Sequence, residues 1–255
     1  MTTREAQRGQ AEKGLANGHN RILEQLDADE AERLGPHLTR KRFQTGDPLL
    51  RPGDTIDFLI FPTTAMVSAM GNTPHGEQAE VGVMGWEGAT GIARLMGAES
   101  LPHEVSIQMA GEGLKLPAAV AEQEFSRGGG FQKAVLRYYH ELFIQVGQTA
   151  VCNVLHGLEQ RLARWLLMCH DRSCDEKLRL TQEFLAMMVG VSRQSLSGAA
   201  RVLQDLGYIR YSRGVIDILD RDSLERFACH CYQVVKLERD GTVAEALPDG
   251  GRANA

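Results

Sequence analysis

The chain has 255 residues, 43% of them hydrophobic, with 28 basic against 33 acidic side chains and a net charge of −5. This is enough for two domains with cores of their own and excludes a wholly disordered chain. No apolar run approaches the roughly 20 residues needed to cross a bilayer. The opening "MTTREAQRGQAEKGLANGHN" has no apolar segment like that of a signal peptide, so a cytoplasmic protein with no membrane partner is expected.

Residues 1–20 are polar and aperiodic, and are expected to form a disordered arm. Ile22, Leu23, Leu26, Ala31, Leu34 and Leu38 then recur at helical spacing, with Asp27 or Asp29 as a cap, which predicts two short helices. From Lys41 to about Leu116 short β-type runs ("KRFQT", "DFLIFP", "AMVSAM", "AEVGVMG", "EVSIQM", "GLKLP") alternate with turn pairs, predicting a small roll or barrel. A Gly-rich turn leading into a short helix, "GWEGATGIARLMG", interrupts it.

From about Phe131 the pattern is helical for some 25 residues and carries two apolar stripes. Val135, Tyr139, Leu142, Val146, Thr149, Asn153 and His156 step by 4 and 3, as a coiled-coil seam does, and are expected to face a second copy of the chain. Leu136, Phe143, Gly147, Ala150 and Val154 form a second line, expected to pack back on the β domain. The phase breaks at His156 and Gly157, the expected hinge. The polar positions Thr149, Asn153 and His156 beside it are candidates for carrying a signal across.

The domain division expected is therefore an arm at 1–20, a β-roll at 21–130, a dimerisation helix and hinge at 131–156, a C-terminal domain at 157–236 and a disordered tail at 237–255. The fold class is α+β, with a jelly-roll-like N-terminal domain.

Within the C-terminal unit, Thr181, a candidate DNA contact, precedes "QEFLAMMVG", and Gly190 ends that helical pattern. Ser192 is placed to cap a second helix whose buried face is Leu196, Ala199, Ala200, Leu203 and Leu206, ending at Gly207. A helix, a short turn with Gly and a second helix make a helix-turn-helix, whose second helix enters the major groove by its N-terminal end. The side chains expected to be exposed there are Arg193, Gln194, Ser197 and Arg201. Arginine can pair bidentately with guanine and glutamine with adenine, while Ser192 and Ser195 suit phosphate. "YIRYSRGVIDILD" is expected to add a two-stranded wing, with Arg210 and Arg213 near the DNA backbone. From Ser192 to Val215 four arginines stand against one aspartate, a local +3 on an acidic chain.

The five cysteines, Cys152, Cys169, Cys174, Cys229 and Cys231, are expected to be reduced thiols. "CHC" at 229–231 invites a metal, but no second ligand pair lies near it in sequence, so a helix with buried thiols is the expectation and no metal is assigned. There is no nucleophile elbow, P-loop or HExxH, and no enzyme is expected. A ligand-binding or protein-interaction module, its winged helix serving as a protein contact, is the competing class.

The order of roll, long helix and winged helix-turn-helix, with "VGVSRQSLSGAARVLQDLGYI" and "GWEGATG" in place, resembles the CRP/FNR family of bacterial transcription regulators over about residues 21–235. The resemblance implies a homodimer on double-stranded DNA, reading a near-palindromic site whose half-sites lie about one helical turn (~34 Å) apart, with RNA polymerase as a further partner. It places Arg193 and Gln194 on bases, and Gly198 where another base-contacting side chain would stand.

The resemblance also implies a cyclic-nucleotide cassette at Gly85, Trp86, Glu87, Gly88, Ala89, Thr90 and Gly91, with His103 nearby. Ala89 stands where the ribose-binding glutamate belongs, and Pro102-His103 where the phosphate-binding Arg-Ser pair belongs. Losing charge-assisted bonds of roughly 1.5–3 kcal/mol each argues against cyclic AMP. An iron-sulfur cluster lacks its N-terminal cysteines, and haem on His75, His103 or methionine is disfavoured. The expectation is no cofactor, with a small-molecule effector of another kind or none.

Overall fold

The computed structural model describes residues 20–73 and 78–241. The rest of the expected arm, the chain beyond 241, and residues 74–77 with His75 lie outside the described residues.

The entry segment is a short 3-10 turn, Leu23–Gln25, then α1, Ala28–Leu34. Asp27 accepts from the Glu30 amide at 2.8 Å and Glu30 accepts from the Asp27 amide at 3.1 Å, a reciprocal capping box. Asn20 belongs to the fold rather than to the expected arm: it is buried and donates to the carbonyls of Pro62 and Gly88.

The strands that follow are β1 Thr39–Phe43, β2 Pro48–Leu50, β3 Phe58–Pro62, β4 Met66–Asn72, β5 Gln78–Met84, β6 Glu104–Met109 and β7 Gly111–Pro117. They form two antiparallel sheets, β1-β7-β3 and β2-β6-β4-β5. Leu59, Phe61, Val67, Ile107 and Leu116 fill the space between them, and the core closes with Phe131, Val135 and Tyr138 from the helices that follow.

Helices α2, Ala118–Arg127, and α3, Gly130–Leu155, are joined through Gly128 and Gly129, both at positive φ. Glu30 accepts from the Phe131 amide at 3.0 Å, holding one of the donors that a helix start leaves free. A Cβ at Gly129 or Gly130 would strike that carboxylate at 2.6–2.7 Å, which accounts for the glycine run.

The expected seam of α3 is divided between the roll and solvent, and the second stripe is open rather than packed on the roll. Val135 is fully buried in the roll core, and Leu142 and Val146 pack over Gly82 of β5. Leu136, Phe143 (65% exposed), Val154 (81%) and Leu155 (71%) are left open. Glycine at 82 leaves room for Leu142, so this part of the expected seam packs on the roll. Tyr139, Val146 and Asn153 of the expected seam are exposed as well.

At His156 the backbone turns extended and α4, Leu158–His170, begins. The C-terminal domain then runs β8 Lys177–Arg179, α5 Gln182–Val189, α6 Arg193–Asp205, β9 Ile209–Ser212, β10 Val215–Ile218, α7 Arg221–Phe227 and α8 His230–Asp240. The final helix pattern splits in two at Ala228 and Cys229, and α8 reaches Asp240, so residues 237–240 are helical rather than tail.

This domain is docked on the roll. Met66, Met70 and Val83 of β4 and β5 share one apolar core with Leu162, Trp165, Leu166, Leu185 and Met188. Two polar links cross the same boundary. Trp165 donates to Glu80 at 2.8 Å, and Arg172 donates to Glu87 at 2.6 Å, all four residues being buried.

Candidate nucleic-acid interface

The helix-turn-helix is built by its caps. Thr181 accepts from the Phe184 amide at 3.2 Å and opens α5; Gly190, at φ 70°, closes it. The left-handed backbone there favours glycine. Two residues on, Ser192 accepts from the Ser195 amide at 3.1 Å and opens α6. Leu196, Ala199, Ala200 and Leu203 are buried against α4 and α5, which fixes the opposite side of α6 toward solvent.

That solvent side carries Arg193, Gln194 and Ser195 in its first turn and Arg201 two turns on, all exposed. Four of the polar residues are internally engaged. Ser192 and Ser195 share a hydroxyl contact at 2.9 Å, Ser197 donates to the Arg193 carbonyl at 2.9 Å, and Arg201 lies 3.8 Å from Asp205. Arg193 and Gln194 have no such side-chain partner among the described residues. Gly198, also exposed, leaves a gap beside them.

The wing has three strands, in the order β8-β10-β9, rather than the two expected. Strand β8 is short and lies upstream of α5, too brief to register as a strand pattern. It adds two exposed basic residues, Lys177 and Arg179, that sequence reasoning missed. Arg213 and Gly214 form the tip, both at positive φ, the backbone of a tight hairpin. Arg213 is exposed there, whereas Arg210 donates twice to Asp217 at 2.9–3.1 Å and is largely committed to the wing itself. Hydrogen bonding to Arg210 is also the main reason the Asp217 carboxyl stays below its usual range.

The Gly-rich turn is not an open pocket. Gly85, Glu87, Gly88, Ala89, Thr90 and Gly91 are buried and Trp86 is half-buried, its ring nitrogen donating to the Asp171 carbonyl at 3.3 Å. The side chains of Tyr138 and Arg172 pack directly on its glycines. A Cβ at Gly88 would land within the Tyr138 ring, and Arg172 covers Gly85 while pairing with Glu87. The second oxygen of Glu87 and the Tyr138 hydroxyl are buried without a hydrogen-bond partner. His103 is exposed, on the loop before β6. A groove of about 690 Å³ does lie on the roll, lined by Lys41, Asp47, Asp57, Phe58 and Lys115 among others, but of the expected set only Thr90 reaches it.

The hinge positions are held differently from one another. Thr149 accepts from Arg164 at 3.2 Å, Asn153 is exposed, and His156 turns toward Cys231 at 3.6 Å.

Residues 160–227 match the model of the Crp-like helix-turn-helix domain. Among solved structures the chain is similar to CLP of Xanthomonas campestris, a c-di-GMP-responsive global regulator. That match has 19% identity and a TM-score of 0.62 over 75% of this chain and 99% of that one. FixK2 of Bradyrhizobium japonicum gives 11% identity and a TM-score of 0.65 over 75% and 98%. A CRP/FNR-family regulator of Thermus thermophilus gives 20% and 0.60 over 74% and 98%. No curated protein sequence matches. No helix among the described residues is long and apolar enough to cross a membrane. Residues 160–227 are thus a Crp-like helix-turn-helix domain, and the chain that carries it has the fold of the CRP/FNR transcription regulators.

Proposed function

We propose that the protein is a sequence-specific DNA-binding transcription regulator that acts as a homodimer, with Arg193 and Gln194 of α6 reading bases. The observation that carries this is the division of α6. One side is locked into the core by Leu196, Ala199 and Leu203, and the other presents an arginine and a glutamine without side-chain partners at the end that enters a major groove. Arg179 and Arg213 supply basic charge on the wing for phosphate, while Lys177 lies 3.6 Å from Asp217 and, like Arg210, is partly neutralised there.

The open apolar line of α3, Leu136, Phe143, Val154 and Leu155, supports self-association. Leu136, Phe143 and Ala150 repeat every seven residues, with Gly147 and Val154 between and beyond, which is the period of a two-helix seam. Joining two copies there pairs two recognition helices, so the site read is near-palindromic. The groove beside Lys41 and Lys115 offers a place for a small molecule to act on the roll. RNA polymerase is the partner such a regulator would address.

A titration of labelled duplex at several salt concentrations tests the reading: phosphate contacts give a steep negative dependence of log affinity on log salt, and a protein-contact module has none.

A further inference from the structure

We propose that Cys152, His156, Cys229 and Cys231 form a zinc site that ties the end of α3 to the start of α8. All four donor atoms lie within 4.8 Å of one another. The sulfurs of Cys152 and Cys229 are 3.3 Å apart, and Cys231 Sγ is 3.6 Å from His156 Nδ1. Zinc bonds of ~2.3 Å to sulfur and ~2.0–2.1 Å to nitrogen place tetrahedral neighbours about 3.5–3.8 Å apart, so small side-chain adjustments suffice.

The backbone prepares this arrangement. Cys152 and His156 are four residues apart on the last turn of α3, on one side of it, and the His156 amide bonds back to the Cys152 carbonyl at 3.2 Å. The break between α7 and α8 makes Cys229 the cap of α8 and puts Cys231 in its first turn. His230 lies between them and is exposed, so "CHC" contributes its two sulfurs and the nitrogen comes from 75 residues upstream. The three sulfurs are buried in a cluster of their own, separate from both apolar cores, where hydrophobic packing alone does not explain them.

Arg164 is a second, independent observation. It is buried, its Nε has no hydrogen-bond partner, and no carboxylate lies within ion-pair distance of it among the described residues. Its side chain donates to Thr149, one turn before Cys152, at 3.2 Å. Three thiolates and one imidazole on a divalent cation carry a net charge of −1, which Arg164 neutralises. Thiolate and imidazole ligands in a closed tetrahedron select zinc over magnesium or calcium. Binding exchanges the thiol protons for the cation and releases them to solvent, with no redox change. The site stands whether or not the chain reads DNA.

The test uses the full chain, expressed with zinc and passed over a chelating resin, with metal measured by mass spectrometry. About one zinc per chain is expected. The apo-protein reloaded with cobalt should show tetrahedral thiolate absorption that zinc bleaches. The double variant Cys229→Ser/Cys231→Ser should lose both signals at least tenfold, while Cys174→Ser and His230→Gln should keep them. The proposal falls if the wild-type chain holds neither metal, or if cobalt gives only an octahedral spectrum. It also falls if the double variant retains zinc, or if the isolated protein carries a Cys152–Cys229 disulfide in place of metal.

Discussion

Arg172, from the loop after α4, donates to Glu87 of the Gly-rich turn across 2.6 Å, and both side chains are 2% exposed. The C-terminal domain thus places its own cation in the Gly-rich turn. That pairing offsets the burial of Glu87: desolvation pushes its pKa up, but Arg172 and hydrogen bonds outweigh it, and the carboxyl is held below its ordinary range.

Removing one partner of such a pair strands the other charge. Arg172→Met should destabilise the fold by about 3–5 kcal/mol in urea denaturation at pH 7. Adding Glu87→Gln should recover much of that loss. Because the folded pKa of Glu87 is lowered, its contribution is present above about pH 4.5 and fades as pH falls through the folded value. In Arg172→Met that acid-side loss should begin at higher pH.

Glu80 behaves in the opposite sense. Burial raises its pKa against the hydrogen bonds from Ser68 and Trp165. The folded state therefore holds a proton that the unfolded state has given up, and stability declines as pH rises from about 4.5 through the raised folded value. Glu80→Gln keeps an acceptor for Trp165 without the charge. Its urea midpoint should vary less between pH 5 and pH 8 than that of the wild type, and an identical pH slope would count against the account.

A charge on the open line of α3 should separate the copies. Phe143→Glu is expected to sediment as a monomer at concentrations where the wild type is a dimer, with an unchanged far-ultraviolet spectrum. Val135→Ala, by contrast, removes atoms from the roll core and should cost about 1–3 kcal/mol of stability without changing the oligomeric state.

The wing arginines should not be equivalent. Arg213→Ala should reduce the salt slope of DNA binding by about 0.9, the share of one phosphate contact. Arg210→Ala should change it less, since Asp217 already accepts both of its hydrogen bonds.

The local features of the helix-turn-helix were legible because each is written within a few residues: Gly190 as stop, Ser192 as the next cap. The α+β architecture and the resemblance to the CRP/FNR fold followed from the order of such segments. What was not legible depends on distant partners. Two apolar stripes on one helix are equivalent in sequence, and contacts with distant residues, such as Leu142 over Gly82 on β5, divide them between core and solvent. Arg172 and Glu87 are 85 residues apart, and nothing local distinguishes them from surface charges. The sulfur cluster joins residues 77 apart; the available signal was the four-residue spacing of Cys152 and His156, matched to a helix end.

The central claim is that α6 reads sequence. Selection of the full chain against a random duplex pool, repeated with Arg193→Ala, tests it most directly. Enrichment of a near-palindrome with half-sites about one helical turn apart is expected, with a loss of about 1–3 kcal/mol and relaxed preference at one position per half-site in the variant. No enriched sequence, or an identical one with undiminished affinity for Arg193→Ala, would contradict it.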